Sequence, residues 1–136
     1  MASFEQILLS ILNRNIIHEQ FYLSIGAGIW EEFLFRVLII GAIIYLLKYI
    51  IGRKYVFSVI MAIFCSAFLF SLFHYIGQYG DIFTFKSFYL RTFAGIILGT
   101  LYVFRGFGIT VYTHIFYDMS ILSIPILMNE NNILSI

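Results

Sequence analysis

Four long apolar segments occupy most of this chain, and they constrain its fold more than any other feature. They cover approximately residues 21–51, 55–75, 87–104 and 109–128. A helix that crosses a bilayer needs about 20 mainly apolar residues, and each segment is close to that length or longer. The chain is 62% hydrophobic and only 11% charged, against roughly 25% charged in a soluble domain. The sequence therefore predicts an all-α fold, a polytopic membrane helix bundle of about four transmembrane helices.

An N-terminal segment, residues 1–20, precedes the first span. Five of its apolar residues fall on one face of a helix: Phe4, Ile7, Leu8, Ile11 and Leu12. This stretch is too short to span, so it predicts an amphipathic helix lying in the membrane interface. Residues 21–128 then form the membrane core, and residues 129–136 a polar tail. The net charge of +1 gives no indication of a nucleic-acid partner.

The apolar spans predict a multi-pass protein of the cell membrane, and its orientation depends on a small difference in basic residues between the two sides. Four basic residues fall on one side of the bundle, against three on the other: Lys48, Arg53, Lys54 and Arg105 against Arg14, Lys86 and Arg91. The positive-inside rule then places the turn at 52–55 in the cytoplasm. Within the third segment, Gly95 and Gly99 form a GxxxG pair that lets another helix approach closely.

A few ionisable residues interrupt the apolar segments. A charged side chain at the centre of a spanning helix costs about 2.5–3.5 kcal/mol on insertion scales, so such residues persist where they pair or carry out chemistry. The set here is small: Glu31, Glu32, Arg36, His74, His114 and Asp118.

Helical spacing assigns several of these residues to shared faces. Glu32 and Arg36 are four residues apart, so they can form an ion pair, and His114 and Asp118 share a face in the same way. Glu31 is rotated by about 100° from Glu32 and has no partner in its own helix. In an up-and-down bundle Glu31 lies ~12–15 Å below the start of its helix, at a depth comparable to Asp118. The ionisable groups can therefore converge in one half of the membrane.

Three short motifs carry a resemblance to a known family. Residues 31–36 read EEFLFR and fit EExxxR, residues 70–74 read FSLFH and fit FxxxH, and residues 114–118 read HIFYD and fit HxxxN/D. Their order and spacing resemble the CPBP family of CAAX proteases and bacteriocin-processing enzymes, also called the ABI family, to which the type 2 CAAX prenyl endopeptidase belongs. The resemblance covers approximately residues 25–128.

The resemblance implies an intramembrane endopeptidase of the glutamate type, without a metal or other cofactor. Glu31 would act as general base on a water molecule, and His74 would hold or share that water. Glu32 and Arg36 would fix the helix and tune the first carboxylate. The expected partners are a peptide or protein substrate at the membrane and the lipid bilayer, and a homo-oligomer or a partner subunit is left open.

His114 and Asp118 would support the oxyanion of the tetrahedral intermediate, again by resemblance. An ionised Asp118 cannot donate a hydrogen bond. It must therefore carry a proton at that site or orient His114 instead.

Other interpretations of the same residues stay open. The ionisable groups could form a structural ion-pair and hydrogen-bond cluster that sets helix packing. Glu31, His74, His114 and Asp118 offer nitrogen and oxygen donors that suit zinc, although HExxH is absent, so a zinc-dependent membrane protease is an alternative. Buried acids and histidines can also relay protons or bind a cation, which would fit a non-catalytic membrane immunity or transport protein.

Overall fold

The computed structural model describes residues 19, 21–77 and 80–133, with side chains up to residue 121, and within these ranges it is helical without a strand. Its helices are α1 Phe21–Ile50, α2 Tyr55–Phe73, α3 Phe85–Arg105 and α4 Phe107–Ile133. The prediction of a helical membrane bundle is thereby confirmed. Apart from Glu19, the interfacial helix predicted for residues 1–20 lies outside the described residues.

Three of these helices, α1, α2 and α3, are long and apolar enough to cross a membrane. Within the residues that the structure describes, no span is assigned to α4. The helix also continues to Ile133, past the expected end of the fourth segment at residue 128. Part of the predicted polar tail is therefore helical.

Neighbouring helices run antiparallel, which brings particular ends together. Residues 63 and 67 of α2 face residues 99 and 95 of α3, and Ser24 of α1 contacts Asp118 of α4. The start of α1, the end of α2, the start of α3 and the later part of α4 consequently lie in the same half of the bundle. This is the arrangement that the depth argument from the sequence assumed.

The approach of α2 to α3 depends on the predicted glycine pair. A Cβ atom built on Gly95 would lie 3.0 Å from the Cα atom of Ala67, and one on Gly99 would lie 3.3 Å from a methyl group of Ile63. Near the end of α2 the Ser71 hydroxyl donates a hydrogen bond of 2.9 Å to the carbonyl oxygen of Phe88. These contacts set the rotation of α2 and so the direction in which its last turn faces.

Two glycines make the tight turns on the opposite side of the bundle. Gly52 has a φ of +76° between α1 and α2, and Gly106 has a φ of +82° between α3 and α4. Glycine adopts these left-handed conformations without the steric cost of a Cβ atom. At the other end, the Thr84 side chain caps α3 by accepting a hydrogen bond from the backbone N–H of Ser87 at 3.3 Å.

Helix α1 contains two stretches of π-helix, Phe33–Ile40 and Leu46–Ile50, separated by the α-helical turn Gly41–Tyr45. π-helical turns are rare and are often found at functional sites. The first stretch begins directly after Glu32. It therefore adjoins the residues that the motif EExxxR places in α1.

The interior of the bundle is more polar than its surface. Many large apolar side chains face outward, as expected where lipid is the solvent, while seven of the buried residues are polar or charged: Glu32, Arg36, Ser58, Ser66, Ser71, Thr110 and His114. The apolar part of the core is made by Phe35, Ile40, Ala62, Ala67, Phe70 and Leu98. The polar interior is where the ionisable residues of the motifs are found.

Candidate active site

Glu32 and Arg36 form a fully buried ion pair on one face of α1. The Arg36 guanidinium donates from Nε to Glu32 Oε2 at 2.9 Å and from Nη2 to Oε1 at 3.3 Å, and both side chains are 0% exposed. This two-point geometry is the strong form of an arginine–carboxylate contact. The pair predicted from the four-residue spacing is therefore present.

A serine of α2 ties this ion pair to the backbone of α1. Ser66 Oγ accepts a hydrogen bond from Arg36 Nη1 at 3.3 Å and donates one to the carbonyl oxygen of Phe35 at 2.8 Å. The Phe35 carbonyl lies in the π-helical stretch, so the Ser66 hydroxyl supplies a hydrogen-bond donor to the backbone of that stretch. Sequence analysis missed Ser66. Its signal was a position eight residues before His74, on the same face of α2.

His114 joins the pair from α4. Its Nδ1 atom lies 2.9 Å from Glu32 Oε1, and the histidine is 5% exposed. Because the ionised Glu32 can only accept, Nδ1 must carry the proton and donate it. In neutral His114 the Nε2 atom then carries the lone pair and accepts hydrogen bonds. It donates a hydrogen bond only when the ring is positively charged.

Glu31 faces two histidine rings. Its Oε2 atom lies 3.9 Å from His74 Nε2 and 3.8 Å from His114 Nε2. Both distances exceed a direct hydrogen bond, so these groups keep hydrogen-bonding capacity for another molecule. His74 Nδ1 lies 2.9 Å from the carbonyl oxygen of Phe70, which accepts only. Its Nε2 atom therefore carries the lone pair when the ring is neutral.

Asp118 approaches the same nitrogen of His114 as Glu31 does. Its Oδ2 atom is 3.6 Å from His114 Nε2 and accepts a hydrogen bond of 3.4 Å from the Ser24 hydroxyl of α1. Sequence analysis did not single out Ser24 either. It precedes Glu31 by seven residues, or about two helical turns, so the spacing alone would have put the two on one face.

Phe70 lies at the centre of the cluster. Its ring makes edge contacts with His74 at 4.8 Å and with His114 at 5.8 Å between centroids, and the Arg36 guanidinium carbon lies 5.1 Å from its centroid. Such contacts orient rings as well as bury them. The phenylalanine of the FxxxH motif thus holds both histidines and the arginine in place, in addition to its apolar packing.

A cavity of about 400 Å³ opens beside the cluster. His74, His114 and Asp118 line one part of it, and Lys86 and Arg91 of α3 line another. The structure thus brings together all six residues that the motifs pointed to, and three of them border space for another molecule. Within the described residues, no group of three or more histidine, cysteine, aspartate or glutamate side chains is arranged to hold a metal ion.

The fold and this site define a class: a helical membrane protein with an acid–histidine cluster inside the bundle. A family model described as Type II CAAX prenyl endopeptidase Rce1-like matches residues 13–120. Because the match covers well over half of the chain, the chain belongs to that family of membrane proteases, and the resemblance found from the motifs is confirmed. Searches of curated proteins and of solved structures gave no significant match.

Proposed function

We propose that the chain is a metal-independent intramembrane endopeptidase that hydrolyses a peptide bond of a membrane-associated protein or peptide. It would do so as a multi-pass protein of the cell membrane. The single observation that carries this proposal is the position of Glu31, whose carboxylate faces the Nε2 atoms of His74 and His114 at 3.9 and 3.8 Å without bonding to either. A water molecule that donates to Glu31 would be held where it can attack a peptide carbonyl.

The first step would split a water molecule. Glu31 accepts one proton while the hydroxide oxygen bonds to the carbonyl carbon, and the carbonyl π electrons move onto its oxygen. His74 Nε2 bears a lone pair in the neutral ring, so it can accept a hydrogen bond from the second O–H of the water. This hydrogen bond orients the water for attack. The tetrahedral intermediate then expels the amine, which takes the proton from Glu31.

His114 is suited to stabilise the oxyanion as a positive ring. With Nδ1 donating to Glu32, its Nε2 atom gains a proton only when the imidazole is charged, and it can then donate to the developing negative oxygen. Asp118 at 3.6 Å and Glu32 at 2.9 Å both favour that charge. Under this proposal Asp118 acts by holding His114 charged and oriented, so it has no need to donate a hydrogen bond itself.

The test is cleavage of a defined peptide by the protein in nanodiscs, where both membrane faces are accessible. The probe is a dye-labelled peptide that ends in a prenylated cysteine, two aliphatic residues and a free carboxyl terminus. We expect Glu31→Gln to lower kcat by about 10²–10⁴-fold, because the amide cannot accept the proton of water. Glu19→Gln, at an exposed glutamate away from the cluster, is the matched control and should leave kcat unchanged.

Two outcomes would count against this mechanism. Unchanged cleavage by Glu31→Gln, with its fold intact by thermal unfolding, would remove Glu31 as the base. Cleavage that a chelator abolishes and zinc restores would favour the zinc-dependent alternative that uses the same side chains.

A further inference from the structure

The cavity that reaches the catalytic cluster has a second, cationic part. Its α3 wall includes Ser87, Arg91, Ala94 and Leu98, which recur every three or four residues and form one face of the helix. The facing α4 wall carries His114 and Asp118. One continuous space therefore connects the proposed catalytic groups with Arg91 and, at the first turn of α3, with Lys86.

Arg91 is held on two sides and has unused hydrogen-bonding capacity. Its Nη2 atom pairs with Asp81, and its guanidinium carbon lies 5.4 Å from the ring centroid of Tyr75. Its Nη1 atom is buried and has no hydrogen-bond partner among the described residues. A buried charged donor without a partner is costly, so an incoming acceptor oxygen would relieve that cost.

The charge balance of this part favours an anion. Two cations, Lys86 and Arg91, line it, and the carboxylate of Asp81 pairs with Arg91, whereas Asp118, which also lines the cavity, faces His114. The Thr84 and Ser87 side chains also line it and offer hydroxyl groups to a small oxyanion. A guanidinium supported by neighbours matches a carboxylate especially well, because its N–H groups form a planar fork.

We propose that Arg91, with Lys86, binds a carboxylate of the peptide being cleaved and so selects substrates in which an acidic group follows the scissile bond by a short distance. The inference rests on the proposed peptidase function. The inference also extends that function, because it names a recognition element for the same site. A peptide is favoured over a lipid phosphate because these cations share a cavity with His74 and His114 and do not lie only on the lipid-facing surface.

The test measures binding and does not depend on turnover. The protein carries Glu31→Gln, and the probes are the dye-labelled prenylated peptide described above as the free acid and as the C-terminal amide. A third probe is the amide with a glutamate as its last residue. In phosphatidylcholine nanodiscs we expect the acid to bind about tenfold or more tightly than the plain amide, as a charge-assisted hydrogen bond warrants. Arg91→Gln should remove that difference.

Controls separate a local effect from misfolding. Lys86→Gln, at an exposed side chain, should reduce the preference for the acid by a smaller factor and leaves the Arg91–Asp81 pair in place. Arg53→Gln removes a cation at the opposite end of α2 and should leave the preference unchanged. If the glutamate-ended amide binds more tightly than the plain amide, the site accepts a side-chain carboxylate. If only the free acid binds more tightly than the plain amide, the site recognises the terminal carboxylate of the peptide.

The overturning results differ from those of the proposed function. Equal binding of all three probes by protein with Arg91 intact would refute the carboxylate site, even if Glu31-dependent cleavage is observed. Loss of the acid preference when phosphatidylglycerol is added to the nanodiscs, together with weaker lipid binding by Arg91→Gln, would assign these cations to lipid phosphate. A preference for the acid without any cleavage by the unmodified protein would instead uphold the site and contradict the peptidase.

Discussion

Glu31 and Glu32 are adjacent in the sequence but occupy opposite kinds of environment. Glu32 is fully buried, and its two oxygens contact Arg36 and His114 at 2.9–3.3 Å. Glu31 is 18% exposed, and its closest approach to a histidine is 3.8 Å. A carboxylate whose oxygens are all engaged can position its neighbours but has little capacity left for a substrate. The partly exposed neighbour, which bonds to neither histidine, keeps that capacity, and we therefore assign the chemistry to Glu31 and the positioning to Glu32.

Removing the buried carboxylate of Glu32 should have the largest effect on stability. We expect Glu32→Ala to lower the free energy of unfolding by about 3–5 kcal/mol, because it leaves Arg36 buried without its counter-charge. The change is measured by denaturant titration of the protein in mixed micelles. Glu31→Ala is the matched comparison and should cost far less. Similar losses for the two variants would contradict the division between a positioning and a reactive glutamate.

Much of this division could be anticipated from residue spacing. Four-residue intervals predicted the Glu32–Arg36 pair, and the depths of the residues in an up-and-down bundle predicted that the ionisable side chains can converge. The bond from His114 to Glu32 could not be predicted, since it depends on how far α4 rotates about its own axis. That rotation is set by helix contacts such as Gly28 against Ile115, where a Cβ atom on the glycine would lie 3.0 Å from the isoleucine side chain.

The spacing of Ser66 and Ser24 indicated their helix faces, but the atoms to which they bond were beyond prediction. A serine in an apolar helix usually bonds its own backbone, as the Ser120 hydroxyl does to the carbonyl oxygen of Phe116 at 2.7 Å. Ser66 and Ser24 instead bond across helices, and nothing in the residue type separates these two behaviours. The π-helical stretch after Glu32 likewise left no recognisable pattern in the apolar run that forms it.

Ser66 tests whether the buried half of the cluster supports the reactive half. We expect Ser66→Ala to destabilise the protein by about 1–3 kcal/mol, because the buried Phe35 carbonyl and Arg36 Nη1 both lose a partner. It should also lower kcat, since Arg36 would hold Glu32, and through it His114, less firmly. The measurements are denaturant titration and peptide cleavage in nanodiscs. Ser120→Ala is the control, because its hydroxyl is exposed and bonds only its own helix.

Ser66→Cys sharpens that experiment. A thiol keeps the approximate size of the side chain but is a weak donor and a weak acceptor. If packing alone matters at this position, the cysteine variant should resemble the unmodified protein in both assays. Behaviour close to that of Ser66→Ala would instead attribute the effect to the two hydrogen bonds.

The smallest expected effect belongs to Ser24, which bonds the partly exposed Asp118. Ser24→Ala removes one hydrogen bond of 3.4 Å and should cost about 0.5–1.5 kcal/mol or less. If Asp118 acts by holding His114 charged, loss of the Ser24 hydroxyl leaves the carboxylate free to interact with the ring, and kcat of Ser24→Ala should fall little. Under the same role, Asp118→Asn removes the negative charge and should lower kcat clearly. If Asp118 must instead donate to the oxyanion, Asp118→Asn should retain activity, because the amide is a donor at every pH. Comparing kcat for these two variants therefore decides which role Asp118 has, and with it whether the reactive half of the cluster carries its positive charge on His114.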